Sequence, residues 1–150
     1  MRTWKGLLVF LALVIAAGAV GSLFPPDAWF AALRKPSFNP PAWLFAPVWT
    51  LLYVLMAVAA WRVCRVDGVR AAIALWLLQL ACNAAWSPLF FGAHRIDLAL
   101  ADIGVLLVLI VATLAAFWRR ERLAAALLLP YLAWVGFATA LNVAFWQLNR

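Results

Sequence analysis

Five apolar runs divide the sequence, and each is about as long as a membrane-spanning helix. They cover residues 6–24, 42–61, 71–93, 98–118 and 123–146, and Asp102 is the one charged residue inside any of them. About twenty residues of helix, at a rise of 1.5 Å each, cross the roughly 30 Å of hydrocarbon in a bilayer. The sequence therefore predicts an all-α integral membrane protein, a bundle of five transmembrane helices.

Composition supports this class of protein. Hydrophobic residues make up 69% of the 150-residue chain and charged residues 11%, more apolar surface than a soluble domain of this size could bury. The runs are continuously apolar and lack the two-residue alternation of barrel strands, which argues against a β-barrel. Residues 6–24 also resemble a signal peptide, but apolar sequence continues to Phe24 where a polar stretch would be expected, so we predict that this run is retained. We predict one domain over residues 1–150, with residues 25–41 as a lid.

The basic residues are distributed unevenly between the two ends of such a bundle. The end that holds the N-terminus would carry Arg2, Lys5, Arg62, Arg65, Arg70, Arg119, Arg120 and Arg122. The opposite end would carry Arg34, Lys35, Arg95 and Arg150. By the positive-inside rule the first end is cytoplasmic, if insertion follows the inner-membrane pattern. The net charge of +7 then reflects topology, and we expect membrane lipid and no nucleic acid as partners.

Residue patterns typical of metal sites and of common catalytic sites are missing from the sequence. Cys64 and Cys82 form no CxxC pair, and His94, the single histidine, has no second ligand placed to join it. We therefore expect a solvated loop histidine and no metal site. Neither a Ser-His-Asp set nor a nucleotide-binding glycine motif is present.

Polar and aromatic residues concentrate in one half of the predicted bundle, the half opposite the N-terminus. That half contains Ser22, Thr50, Asn83, Ser87, Asp102, Thr139 and Asn142, with Trp43, Trp49, Trp86, Trp134 and Trp146. Its tryptophans could form an interfacial belt while its polar groups join helices. Alternatively, Trp49 and Trp134, one or two turns deeper, could line a pocket for a large, flat, mostly apolar ligand. Spacing alone leaves both interpretations open. The other half is mostly Leu, Val and Ala, with Gln79, Thr113 and Tyr131 as exceptions.

Asp102 near one end of the fourth run is a functional candidate, because carboxylates inside membranes are costly. The alternative is an interfacial pairing with Arg95 or with a hydroxyl or amide of a neighbouring helix, which we favour slightly.

Four segments carry a family resemblance: "LRKPSFNPPAWLFAPVWTLLYVLM", "NAAWSPLFFGAHR", "LALADI" and "PYLAWVGFATALN". In this order, on five spans, they resemble the TspO/MBR family, the tryptophan-rich sensory proteins of bacteria and the translocator proteins of mitochondria. The resemblance implies a homodimer that binds tetrapyrroles such as protoporphyrin IX and haem. It also implies that some members bind cholesterol or synthetic benzodiazepine-site ligands. It implies no required cofactor, porphyrin being the ligand.

The resemblance also assigns a ligand site. It implies that the residues binding the ligand are Ser22, Phe30, Pro40, Phe45, Trp49, Asn83, Trp86, Phe90, Trp134 and Ala138. Trp49 and Trp134 match tryptophans tied to light-dependent degradation of bound protoporphyrin in bacterial members. Many relatives have tyrosine at the position of Phe30, so a hydroxyl is missing here. Val143 replaces the central tyrosine of the cholesterol-recognition pattern, which favours porphyrin over cholesterol.

The predicted function is that of a tetrapyrrole receptor, sensor or carrier in a bacterial membrane, inner or outer. One alternative is light-dependent oxidative degradation of bound protoporphyrin IX, in which Trp49 and Trp134 would act. A second alternative is a small secondary transporter for another hydrophobic compound. The sequence shows no internal repeat and, apart from Asp102, none of the intramembrane charges expected of a secondary transporter.

Overall fold

A computed structural model describes residues 2–150, and these residues form helices and loops without a strand. Residue 1, the first of the predicted domain, lies outside the described range. Five helical stretches are long and apolar enough to cross a membrane: Trp4–Ser22, Ala42–Val63, Arg70–Gly92, Ile96–Trp118 and Arg122–Asn149. The prediction of an all-α membrane protein with five spanning helices is confirmed.

The α-helices of the described residues are numbered in chain order. They are α1 (Trp4–Ser22), α2 (Ala28–Ala32), α3 (Phe45–Val63), α4 (Arg70–Ser87), α5 (Ile96–Trp118), α6 (Arg122–Leu127) and α7 (Leu129–Asn149). A 3₁₀ turn over Ala42–Leu44 leads into α3, and a π-helical turn over Pro88–Gly92 extends α4.

Besides the 3₁₀ turn at Ala42–Leu44, two spanning stretches depart from a continuous α-helix, and a proline marks each place. Pro88 opens the π turn, in which its carbonyl accepts from the Ala93 N–H at 2.8 Å. Pro130 lies in the first turn of α7, directly after a break at Leu128. A proline has no N–H to donate, and the first turn of a helix is where this costs least. The fifth span is therefore two helices, α6 and α7.

The spanning helices pack in a ring, in the order α3, α1, α4, α5 and the α6–α7 pair, which closes on α3. One end of the bundle, the long-loop end, comprises residues 23–44, residues 88–95 and the last turn of α7. The other end, the basic end, comprises the start of α1 with residues 62–70 and 119–122. Large side chains such as Phe10, Met56, Trp76 and Phe117 fill the core between the helices.

Helix α3 contacts the fifth span closely at the basic end and sparsely at the long-loop end. At the basic end the buried residues are small, with Ala57 and Ala60 on α3 and Ala124 and Ala125 on α6 each fully buried. Small side chains let two helices approach closely in a membrane. Towards the long-loop end large rings stand between α3 and α7, so the two helices are further apart and their backbones make few contacts. The side chains thus give this pair of helices a wedge shape.

Candidate functional site

The space between α3 and α7 is filled by six aromatic side chains, which we call the aromatic seam. They are Phe38, Phe45, Trp49, Tyr131, Trp134 and Phe137. Across the seam the centroids of Trp49 and Tyr131 lie 6.3 Å apart, and those of Phe45 and Trp134 lie 5.9 Å apart. Phe38 from the long loop contacts Phe137 at 6.2 Å. These three pairs are edge-to-face, with interplanar angles of 67–78°.

Helical spacing places these rings on facing surfaces. Phe45 and Trp49 are four residues apart on α3, while Tyr131 and Trp134 are three apart on α7. Residues three or four apart lie on the same face of a helix. Trp49 and Trp134 are both half-buried. The seam is therefore accessible from the surface of the bundle and continues into its interior.

A chain of hydrogen bonds lies behind the deepest pair of rings. The Tyr53 hydroxyl donates to Asn83 Oδ1 at 2.8 Å, and Asn83 Nδ2 donates to the Tyr131 hydroxyl at 2.8 Å. The Tyr131 hydroxyl donates in turn to Gln79 Oε1 at 2.7 Å. Asn83, Tyr131 and Gln79 are 8%, 0% and 1% exposed. The chain joins α3, α4 and α7 by side chains whose polar atoms would otherwise be unpaired in an apolar interior.

A second aromatic cluster lies where α2, α4, α5 and α7 meet at the long-loop end. Trp86 stacks on Phe90, with centroids 4.8 Å apart, and Phe30 from α2 packs on Phe90 at 6.2 Å and on Phe145 at 5.7 Å. The Trp86 indole N–H donates to Asn142 Oδ1 at 2.9 Å. Asn142 Nδ2 donates to the Ile96 carbonyl at 3.2 Å, so this asparagine bridges α4, α5 and α7.

The structure distributes the predicted ligand residues over several places. Phe45, Trp49 and Trp134 lie in the seam, with Ala138 one turn beyond Trp134 on α7. Phe30, Trp86 and Phe90 belong to the second cluster. Asn83 lies in the hydrogen-bond chain, Pro40 in the long loop, and exposed Ser22 at the end of α1, where its hydroxyl donates to the Ala19 carbonyl. The four residues Trp49, Asn83, Trp86 and Trp134, which share the polar and aromatic half of the bundle, thus divide between two aromatic groups, with Asn83 beside the seam.

Residues 25–41 run across the long-loop end and are fastened at several points. The Arg34 backbone N–H donates to Asn149 Oδ1 at 2.8 Å, and Asn149 Nδ2 donates to the Arg34 carbonyl at 2.9 Å. Just before this segment, the Phe24 ring lies over Gly92, where a Cβ atom would come within 2.7 Å of it. Lys35 Nζ donates to the Phe30 and Ala31 carbonyls at the end of α2. These contacts tie the loop to the ends of α4 and α7.

His94 has a role in this loop that the sequence did not predict. Its Nε2 lies 2.8 Å from Asp27 Oδ2, and its ring stacks on Trp29 with centroids 4.4 Å apart. Asp27 also caps α2, accepting the Phe30 N–H on Oδ1 at 3.1 Å. The Phe30 N–H, followed by His94, lowers the pKa of the Asp27 carboxyl. His94 is exposed in its loop, as expected, but the turn at positive φ (55°) also brings its ring against α2.

The favoured pairing of Asp102, with Arg95 or with a hydroxyl or amide of a neighbouring helix, is not found among the described residues. Arg95 donates from Nε and Nη2 to the two carboxylate oxygens of Asp97, at 2.8 and 2.6 Å. Asp97 is two residues away in the chain, so it meets the guanidinium before Asp102 can. Asp102 Oδ2 is buried without a hydrogen-bond partner among the described residues.

Metal binding finds no support in the part of the chain that the structure describes, since no three His, Cys, Asp or Glu side chains are grouped there. A cleft of about 330 Å³ opens at the long-loop end, lined by Trp29, His94, Asp97, Trp146 and Asn149 among others. The Asp97 carboxylate and the His94 ring are engaged with Arg95 and Asp27. The ring contacts of the seam are elsewhere, between α3 and α7.

Sequence reasoning missed the partnership of Tyr53, Gln79 and Tyr131. In the sequence, Gln79 and Tyr131 stand out only as exceptions in an apolar half. A useful signal was present, since polar side chains within membrane spans need partners and these lie on different helices at similar depth. That signal predicts contact between such residues, although not which atoms pair.

Comparison with known proteins agrees with this architecture. The model of the TspO/MBR family matches residues 10–147. The chain belongs to the TspO/MBR family. The tryptophan-rich sensory protein of Cereibacter sphaeroides is 42% identical over 146 residues, which cover 97% of this chain and 92% of that one. The identity to protein CrtK of Rhodobacter capsulatus is 38% over 148 residues, covering 94% and 91%.

The TspO/MBR relatives extend beyond bacteria. The human translocator protein is 42% identical over 127 residues, which cover 81% of this chain and 75% of that one. This TspO/MBR member is thus a multi-pass membrane protein similar along most of its length to proteins named as sensors and translocators. Every residue named in the seam, the hydrogen-bond chain and the second cluster lies within the matched range.

Proposed function

We propose that this TspO/MBR member binds a tetrapyrrole, such as protoporphyrin IX or haem, at the aromatic seam. In this proposal it acts as a receptor, sensor or carrier of tetrapyrroles in a bacterial membrane. The supporting observation is that aromatic rings separate α3 from α7 at the long-loop end. Trp49 on α3 and Trp134 on α7 lie on opposite sides of this seam.

The seam suits a large planar ligand on physical grounds. A porphyrin offers two flat apolar faces, and indole and phenyl rings stack on such faces for about 0.5–1.5 kcal/mol per pair beyond area burial. The rings of the seam contact one another across α3 and α7, so a ligand that enters between them replaces one aromatic contact by two. A ligand that entered between any other pair of neighbouring helices would have to break close backbone packing. Between α3 and α7 the backbone contacts are already sparse.

Further expectations accompany this proposal. A homodimer, synthetic benzodiazepine-site ligands and cholesterol come from the family resemblance. Cholesterol is the weaker expectation because Val143 stands where the recognition pattern has tyrosine. The propionates of a bound porphyrin would face the long-loop end, because carboxylates are costly to bury in the interior of the bundle.

Titration of the purified chain with protoporphyrin IX, followed by quenching of tryptophan fluorescence, tests the proposal. The double variant Trp49→Phe, Trp134→Phe removes both indoles from the seam and keeps a ring at each position. We expect its affinity to fall about tenfold, since the smaller ring loses contact with the macrocycle. A matched control is Trp4→Phe, Trp43→Phe, which removes two indoles that are 66% and 72% exposed. Equal affinities of the two double variants would sink the assignment to the seam.

Light-dependent oxidative degradation of bound protoporphyrin is the second candidate function. It is favoured by the position of Trp49, 5.5 Å from Tyr53 and 6.3 Å from Tyr131, because such side chains are readily oxidised near an excited porphyrin. Illumination of the complex in air should then yield a bilin-like absorption band that depends on Trp49 and Trp134. Loss of porphyrin at the same rate in protein-free detergent would reject the enzymatic reading.

A further inference from the structure

The basic end carries much more positive charge than its ion pairs use. It holds eight Lys and Arg residues and two carboxylates, Asp67 and Glu121. Arg2 pairs with Asp67, and Arg62 Nε donates to Glu121 Oε2 at 2.8 Å. No other salt bridge occurs at this end within residues 2–150. The cations left over are Lys5, Arg65, Arg70, Arg119, Arg120 and Arg122.

These cations lie on loops and in the first turns of helices at the basic end, and contacts between the loops hold part of this end together. The bond from Arg62 to Glu121 joins the end of α3 to the loop before α6. The Arg120 guanidinium lies against the turn at Gly68, where a Cβ atom would be 3.3 Å from its Nη1. The turn needs the positive φ of Gly68, 72°, which only glycine adopts readily. Residues 64–70 and 119–122 therefore form one continuous basic surface, with Lys5 at the start of α1 at the same end of the bundle.

Two of the arginines are held at the level of the membrane surface. The Arg65 guanidinium lies over the Trp61 ring at 5.2 Å, and that of Arg122 lies over the Trp118 ring at 5.7 Å. Trp61 and Trp118 occupy the last turns of α3 and α5, where a spanning helix meets the headgroups and where indoles are preferred. A cation above such a ring lies at the depth of lipid phosphates.

We propose that this basic surface binds the phosphates of anionic phospholipids of the surrounding membrane. Lys5, Arg65, Arg70, Arg119, Arg120 and Arg122 supply the charge. The occupant is a lipid headgroup because the surface is the end of a membrane-spanning bundle and its interfacial tryptophans set it at headgroup depth. Each Lys or Arg near an anionic membrane surface contributes on the order of a fivefold gain in affinity. The inference is independent of the proposed tetrapyrrole site.

The test uses the full chain in a mild neutral detergent, with native mass spectrometry counting bound dioleoyl phosphatidylglycerol or dioleoyl phosphatidylcholine. We expect phosphatidylglycerol to bind at least tenfold more tightly than phosphatidylcholine, with the difference shrinking as salt rises. Equal affinity for both lipids would overturn the proposal, and so would a preference that does not respond to salt.

The variant Arg119→Gln, Arg120→Gln removes two cations and should weaken phosphatidylglycerol binding about 25-fold while leaving phosphatidylcholine binding unchanged. Its matched control, Arg34→Gln, Arg150→Gln, removes two charges from the long-loop end and should keep the affinity for phosphatidylglycerol. An equal loss in both variants would overturn the assignment to this end. If the double variant unfolds, Arg119→Gln alone and the salt dependence of the unmodified chain carry the test. Tighter binding of a short oligonucleotide or an acidic peptide than of phosphatidylglycerol would also overturn the proposal.

Discussion

The side chains of Asn83 and Tyr131 meet at the centre of the bundle, where Asn83 Nδ2 donates to the tyrosine hydroxyl at 2.8 Å. This contact joins α4 to α7 directly behind the aromatic seam. We expect Tyr131→Phe to leave Asn83 Nδ2 and Gln79 Oε1 unpaired in the interior. The free energy of unfolding should fall by about 1–3 kcal/mol, measured by denaturation in mixed micelles.

Tyr53→Phe is the matched control for that variant, because it removes the hydroxyl of a half-buried tyrosine that makes one bond of the chain. The loss of stability should be about half as large or smaller. If Tyr53→Phe lowers the free energy of unfolding as much as Tyr131→Phe does, Tyr131 is not the central member of the hydrogen-bond chain.

The Asn142 carboxamide supports a second prediction, since it bridges three helices and is 2% exposed. Asn142→Leu keeps an apolar side chain of similar volume but leaves the Trp86 indole N–H and the Ile96 carbonyl without this partner. We expect a loss of about 1–3 kcal/mol in the free energy of unfolding. Trp86→Phe, which removes the N–H and keeps the ring stacked on Phe90, should cost less. The reverse order of the two losses would contradict the bridging role.

Glu121 gives a prediction with a defined pH dependence. Its carboxylate accepts from Arg62 and from the Leu123 and Ala124 N–H groups at the start of α6. The Arg62 bond, followed by these backbone donors, lowers the Glu121 pKa from 4.5. The stabilisation is therefore fully present above about pH 4.5 and is lost as the pH falls through the lowered pKa.

Glu121→Ala removes these bonds and should cost about 1 kcal/mol at neutral pH, as the loss of a helix cap does. Glu121→Gln keeps an acceptor for the backbone and should cost less. The difference between unmodified chain and Glu121→Ala should shrink below about pH 4, in thermal melts followed by circular dichroism. A difference that stays constant down to pH 2 would show that the charge of Glu121 contributes nothing.

The Asp27 carboxylate can be followed directly through the Phe30 amide resonance. Because the Phe30 N–H and His94 lower its pKa, the shift of that resonance should have a midpoint below the ordinary 3.8. The contacts of the α2 cap are then kept above pH 3.8 and lost as the pH falls through the midpoint. His94→Gln should raise the midpoint but leave it below 3.8, since the larger cause remains. A midpoint at or above 3.8 in the unmodified chain would contradict the contact.

The spans could be predicted from the sequence because a bilayer demands about twenty apolar residues, a requirement that each run satisfies locally. Pro88 and Pro130 are themselves a local signal of the interruptions, because a proline lacks the N–H that the interior of a helix needs. The partners of Arg95, His94 and Asn83 had no such signal. The partners of His94 and Asn83 depend on which helices become neighbours. Arg95 could reach for either Asp97 or Asp102, which lie only five residues apart on α5. The predicted ligand residues came from the family resemblance and stay a prediction.

The wedge between α3 and the fifth span has a mechanical consequence. The alanine contacts and the Arg62–Glu121 bond hold α3 to the fifth span at the basic end, so a tilt of α3 away from α7 would turn about that point. Phe45 lies 17 residues from Arg62, about 25 Å along the helix. A tilt of about 5° there would move Phe45 by about 2 Å. Such a tilt would widen the mouth of the seam by more than half the thickness of an aromatic ring, while the contacts at the basic end would barely move.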